Sequence, residues 1–225
     1  MTRSRTRSVT RAAVLALALA AVTTSAADAQ PAQTVFEFES GGVSVHYQVQ
    51  GAGSPVILIH GFTGSAPRHF GRTGVADALE QAGYRVIAMD CRGHGQSGKP
   101  LDPAQYGMEM VRDVVRLMDH LKIDRAHVVG YSMGGGIAQQ LLVKYPARLL
   151  TVALLGSGWE GENMEALTAQ MAAMADGFDK RDASGLIRGV QAGAQSGPSD
   201  AAVAAAAADL FSRNDPKVLA AIARA

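Results

Sequence analysis

The sequence predicts an α/β protein: a mostly parallel, doubly wound sheet entered by a hairpin and followed by a helical region. Three observations carry this. Short apolar runs at 55–60, 84–89, 126–130 and 149–155 alternate with stretches of helical period at 75–81, 108–121 and 137–145. Continuous apolar strands set between helices belong to a parallel sheet covered on both faces. Upstream, two extended arms flank Gly41-Gly42, a two-residue hairpin turn signal. Beyond Leu155 the pattern is helical throughout.

The chain opens with a targeting pattern. Arg3, Arg5, Arg7 and Arg11 precede an apolar run at 12–22, and Ala27-Asp28-Ala29 supplies a small-residue cleavage site before Gln30. This predicts a signal peptide over 1–29 and a secreted or periplasmic location. The apolar run is too short for a stable membrane span. Neither paired arginines nor a cysteine near the cleavage site points to a twin-arginine route or a lipid anchor. Residues 30–158 then form the predicted α/β core and 159–225 a helical cap region.

Composition removes several classes of function. The formal net charge is +1, and basic residues outside the leader are scattered, which argues against nucleic acid as a partner. A lone cysteine, Cys91, rules out an intrachain disulfide framework and reads as a small buried residue. No spaced metal-ligand set is present, so neither a metal nor another cofactor is expected.

In the hairpin's second arm Val43, Val45, Tyr47 and Val49 share one face, which leaves His46 on the solvent face. The strand at 126–130 ends in Gly130-Tyr131-Ser132-Met133-Gly134-Gly135-Gly136 and runs into a helical pattern through Ile137 and Leu141. Gly-x-Ser-x-Gly between strand and helix is the pattern of a nucleophile elbow, where a strained turn presents the serine and small neighbours admit it. In a chain with 25 glycines the five letters alone are weak evidence, and their placement is what raises them. In a parallel sheet chemistry gathers beyond the carboxyl ends of the strands. That rule collects His60-Gly61-Phe62-Thr63-Gly64, the Asp90-to-Ser97 loop and the Ser132 turn.

With those three motifs in this order, the chain resembles the α/β-hydrolase fold family over roughly residues 35–157. The resemblance implies that Ser132 is the nucleophile and that the backbone N–H groups of Phe62 and Met133 form an oxyanion hole. It implies supporting roles for His60, Gly61, Asp90, Arg92, His94, Gly130 and Gly134. A serine at the elbow disfavours the dehalogenase and epoxide hydrolase branches, which carry aspartate there. Esterases, lactonases, carbon–carbon bond hydrolases and perhydrolases all stay open, each with a small acyl substrate as partner. Tyr131 and Trp159 are candidate pocket residues. The cap region carries Met164, Leu167, Met171 and Met174 on one stripe, which suits simple packing or an adaptable acyl pocket. Asp215-Pro216 reads as an N-cap with proline at the first helical position.

One departure from the family pattern is plain. In the family the triad acid and histidine follow the cap, yet the six histidines stand at 46, 60, 69, 94, 120 and 127. None follows Ser132. Glu160 is a conceivable acid, and His60 or His94 would need a geometry the family does not use. The expectation is a chain that stops within or just after its cap, without the family's last strands, and is nearly inert alone. A sheet edge left bare along 149–155 would favour self-association. The competing reading is a non-catalytic binding protein or a remnant of a hydrolase.

Overall fold

The computed structural model describes residues 34–158, 164–190 and 197–225. Strands β1 (Thr34–Ser40) and β2 (Val43–Gln50) form the antiparallel hairpin. Gly41 and Gly42 close it at φ 59° and 86°, a left-handed pair that suits the twist of a tight hairpin. β2 pairs antiparallel with β4 (Tyr84–Met89). From there β3 (Ser54–Ile59), β5 (Ala126–Tyr131) and β6 (Leu149–Leu155) continue in parallel, giving the order β1-β2-β4-β3-β5-β6. Three helices connect the parallel strands: α1 (Val75–Gln81), α2 (Met108–His120) and α3 (Met133–Lys144). Strand and helix bounds lie within a residue or two of those the pattern predicts, except that α3 starts four residues earlier, directly after Ser132.

The central strand β3 shows why its sequence is apolar from Pro55 to Ile59. Ile57 and Ile59 join a core with Ile87, Met89, Val128 and the inner faces of α2 and α3. Val56 and Leu58, pointing the other way, pack with Val86, Ala88, Phe70 and Ala76. A strand buried on both faces has no place for alternating polar residues.

Past β6 lie α4 (Met164–Asp179), α5 (Ser184–Val190), α6 (Asp200–Arg213) and α7 (Pro216–Ala223). They share a small core of Ala175, Phe178, Ala183, Leu210, Leu219 and Ala220, against which Phe62 packs. Asp215 caps α7 by accepting the Lys217 N–H at 2.9 Å, with Pro216 at the first position. Met174 is partly buried against this core, so the methionine stripe serves packing there. At the far side of the sheet, β6 pairs with β5 and, among the described residues, with nothing along its other edge. Leu150, Leu154 and Leu155 are exposed there.

Candidate active site

Ser132 stands between β5 and α3 with φ 51° and ψ −115°. Positive φ is costly for a residue with a Cβ, so the surrounding contacts must hold the turn in place. The Ser132 N–H donates to the Leu155 carbonyl at 2.8 Å, while its own carbonyl accepts from Gly135 (2.8 Å) and Gly136 (3.2 Å). The flanking glycines are required by distance. A Cβ on Gly130 would lie 2.2 Å from the Gly134 carbonyl oxygen, and one on Gly134 would lie 2.0 Å from that of Ile59. One on Gly135 would meet Ser157 Oγ at 1.9 Å. The helix start is thus pressed directly onto the end of β3, which brings Gly61 and Phe62 beside the serine. A Cβ on Gly61 would be 3.2 Å from that of Ser132.

Ser132 is exposed, and it lines a cleft of about 330 Å³ together with Gly61, Phe62 and Tyr131. Leu186, Ile187 and Leu210 of the helical layer close the other side. Among the described residues neither the Phe62 nor the Met133 amide donates to any acceptor. Two main-chain donors therefore stand free near one exposed hydroxyl, at the positive end of a helix. The Phe62 ring rests on Phe178 of α4 (5.9 Å between centroids) and edge-on to His94 (5.7 Å).

His60 is fully buried and uses both ring nitrogens. Nε2 accepts the Cys91 N–H at 2.9 Å, which places the proton on Nδ1, and Nδ1–H donates to the Gly61 carbonyl at 2.8 Å. The ring ties the end of β3 to the loop after β4. Burial above all holds its pKa down to about 4. In that loop Asp90 accepts the N–H groups of Ala66 (2.8 Å) and Gln96 (2.9 Å), bracing both loops from one carboxylate. Gly93 and Gly95 take φ 81° and 51°. His94 places Nδ1 3.1 Å from the Arg92 carbonyl and leaves Nε2 buried without a partner. Burial first, then His60, lowers its pKa to about 3. The Cys91 thiol is pushed up by burial and stays protonated.

Arg92 is also wholly buried. Its Nε and Nη2 donate to Asp113 of α2 at 2.6 and 2.5 Å, and it donates as well to the carbonyls of Gln105 and Ser40. The sequence reading gives Asp113 no role, although a signal exists. Asp113 falls on the apolar stripe of α2 with Met110, Val114 and Leu117, where a lone acid implies a buried partner. His69 is the other residue missed. It lines the cleft, its ring lies 5.1 Å from Tyr131, and its Nδ1 accepts the Gly61 N–H at 3.1 Å. Burial, then Arg68, lowers its pKa. Residues 67–71 form a short irregular helical turn with no periodicity to flag it. His46 is half-buried rather than on an open face, because Glu37 pairs with it at 3.1 Å and the Asp90 loop covers it. Trp159 and Glu160, like the leader at 1–29, lie outside the described residues.

The family model for the α/β-hydrolase fold matches residues 54–188. The chain belongs to the α/β-hydrolase fold family. Among curated relatives, it is 42% identical over 142 residues to the dihydrolipoyllysine-residue acetyltransferase component of the acetoin cleaving system of Cupriavidus necator. That match covers 61% of this chain and 36% of the relative. It is 38% identical over 120 residues to the 2-hydroxy-6-oxo-6-phenylhexa-2,4-dienoate hydrolase of Comamonas testosteroni, covering 52% and 41% respectively. Among solved structures, an N-acyl homoserine lactone-degrading enzyme, Est816, superposes with a TM-score of 0.62 at 31% identity. There the match covers 83% of this chain and 70% of the other. The chain spans less than half the length of these two curated relatives.

Proposed function

We propose that this chain carries the nucleophile and oxyanion-binding half of a serine hydrolase acting on a small ester, lactone or related acyl substrate. The observation that supports it best is the exposed, left-handed Ser132 set beside two amides that lack acceptors. In the proposed step Ser132 Oγ attacks the acyl carbon. The carbonyl electron pair moves onto oxygen, where the Phe62 and Met133 N–H groups receive it. Collapse expels the alkoxide, which takes up the proton that left Ser132 and departs as the alcohol, and leaves an acyl-serine, which water hydrolyses to the acid and free serine.

The serine's proton needs an acceptor. His60 has both nitrogens engaged, and Nδ1 of His69 is taken by the Gly61 N–H, which leaves the proton on its Nε2. His94 is buried away from the cleft with its pKa near 3. Among the described residues no histidine offers a free basic nitrogen to Ser132. This favours a second reading, a binding protein that keeps the pocket without turnover. Lactone and dienoate chemistry enter only by likeness to relatives.

A fluorophosphonate probe with and without added imidazole separates the readings. The hydrolase reading expects slow labelling of the full chain that imidazole accelerates and Ser132→Ala abolishes. Labelling insensitive to imidazole and unchanged in Ser132→Ala supports the binding reading.

A further inference from the structure

The cleft that holds Ser132 has an apolar wall and a basic rim. Leu186, Ile187 and Leu210 form the wall, whereas Arg68 and Arg213 line the rim. The same two arginines line an adjoining cleft of about 270 Å³, which shares Thr63 with the first and adds Arg72. Among the described residues, no aspartate or glutamate lines either cleft. Arg213 is occupied by Asp209 one turn earlier on α6. Arg68 is exposed, and among the described residues its guanidinium has no hydrogen bond or ion pair. Asp209 reaches it only as a distant field. Tyr131 and His69 are the other titratable groups among the described residues lining the Ser132 cleft, and His69 is pushed towards its neutral form by burial and by Arg68. Among the described residues that line the Ser132 cleft, the positive charge therefore rests on Arg68 and Arg213, and Arg68 is the one without an ion-pair partner; Arg72, likewise unpaired, lines only the adjoining cleft.

We propose that the substrate's acyl chain ends in a carboxylate, and that Arg68 selects it. This inference rests on the reading of Ser132 as the nucleophile. The carbonyl sits at Ser132, the methylene chain lies along Leu186, Ile187 and Leu210, and the carboxylate reaches the guanidinium at the rim. A guanidinium offers a planar fork that matches a carboxylate, and pairing of this kind is stronger than a neutral hydrogen bond. A chain too short to span from Ser132 to the rim gains nothing from Arg68. Arg68 is here a specificity-determining residue and takes no part in bond making.

Ligand binding tests this without requiring turnover. Monoethyl glutarate, neutral ethyl pentanoate and inorganic phosphate are titrated into the full chain by nuclear magnetic resonance at low salt. Wild type, Arg68→Gln and Arg72→Gln are compared, with circular dichroism as the check on folding. Arg68→Gln is expected to weaken the monoester roughly five- to thirty-fold. Ethyl pentanoate should be unaffected by Arg68→Gln, and Arg72→Gln should bind the monoester as wild type does. Added salt should erode the preference. Equal monoester binding by wild type and Arg68→Gln overturns the proposal, as does no monoester binding to either. Displacement of the monoester by phosphate at equal concentration also overturns it, since the rim would then be a general anion site. Fluorophosphonate labelling is scored separately: if it fails while the charge preference survives, the nucleophile reading falls and the anion site stands.

Discussion

Replacing Asp113 with alanine removes one carboxylate from three donors at once. Arg92 Nε and Nη2 donate to it at 2.6 and 2.5 Å, and Ser40 Oγ donates at 2.5 Å. Both charged side chains are fully buried, so solvent does not screen the loss. Arg92 would keep only the carbonyls of Gln105 and Ser40, which satisfy hydrogen bonds and leave the charge unpaired. Breaking a buried pair from one side costs about 3–5 kcal/mol. At roughly 2–4 °C per kcal/mol for a unit of this size, Tm should fall by about 6–20 °C. Urea unfolding followed by circular dichroism measures the free energy directly. The double change Arg92→Met with Asp113→Leu should recover most of the loss, because two apolar side chains of similar volume leave no charge behind. A single variant that costs less than about 1 kcal/mol, or a double variant no better than the single, would refute the reasoning.

Three further predictions follow from the same contacts. Gly134→Ala would place a Cβ 2.0 Å from the Ile59 carbonyl oxygen and push α3 off the end of β3. A displacement near 1 Å costs on the order of a hundredfold in rate, so imidazole-assisted labelling at Ser132 should fall by that factor, and wild-type labelling would contradict it. His60 and His94 are buried with pKa values near 4 and 3, against 6.5 unfolded. Both states are neutral above pH 6.5, so stability is intact there. Between pH 6.5 and 4 the unfolded chain binds protons that the fold refuses, and stability drops by up to roughly 1.4 kcal/mol per pH unit for each histidine. Urea midpoints across that range check it, with a shallower slope expected for His94→Asn. Finally, the bare apolar edge of β6 should drive concentration-dependent self-association in sedimentation velocity, and Leu154→Lys should reduce it. Identical profiles for both proteins would count against the edge as the cause.

Much of the architecture was legible because the determinants are local. β4 and β6 are short apolar runs bounded by turn residues, and their ends fall where the pattern puts them. The turn at Ser132 was legible for a different reason. A strand, a serine flanked by glycines and a helical period occur in immediate succession, so the chain itself fixes the geometry. Asp113 and His69 were not read because their meaning depends on distant segments. Asp113 is explained by Arg92, twenty-one residues earlier and on another element, and by Ser40 at the end of β1. His69 is explained by Gly61 and Tyr131, which sheet pairing brings together. His46 fails similarly: alternation gives the face of a strand but says nothing of a loop that folds over it.

The ring of Phe62 is held by Phe178 of α4, while its amide stands beside Ser132. One residue thus belongs to two layers, anchored by its side chain in one and offering its main chain to the other. The helical layer is therefore not an interchangeable hood. Grafting a different one in search of a new substrate would also move the amide proposed to meet the developing negative charge, so shape preference and reaction rate are expected to shift together.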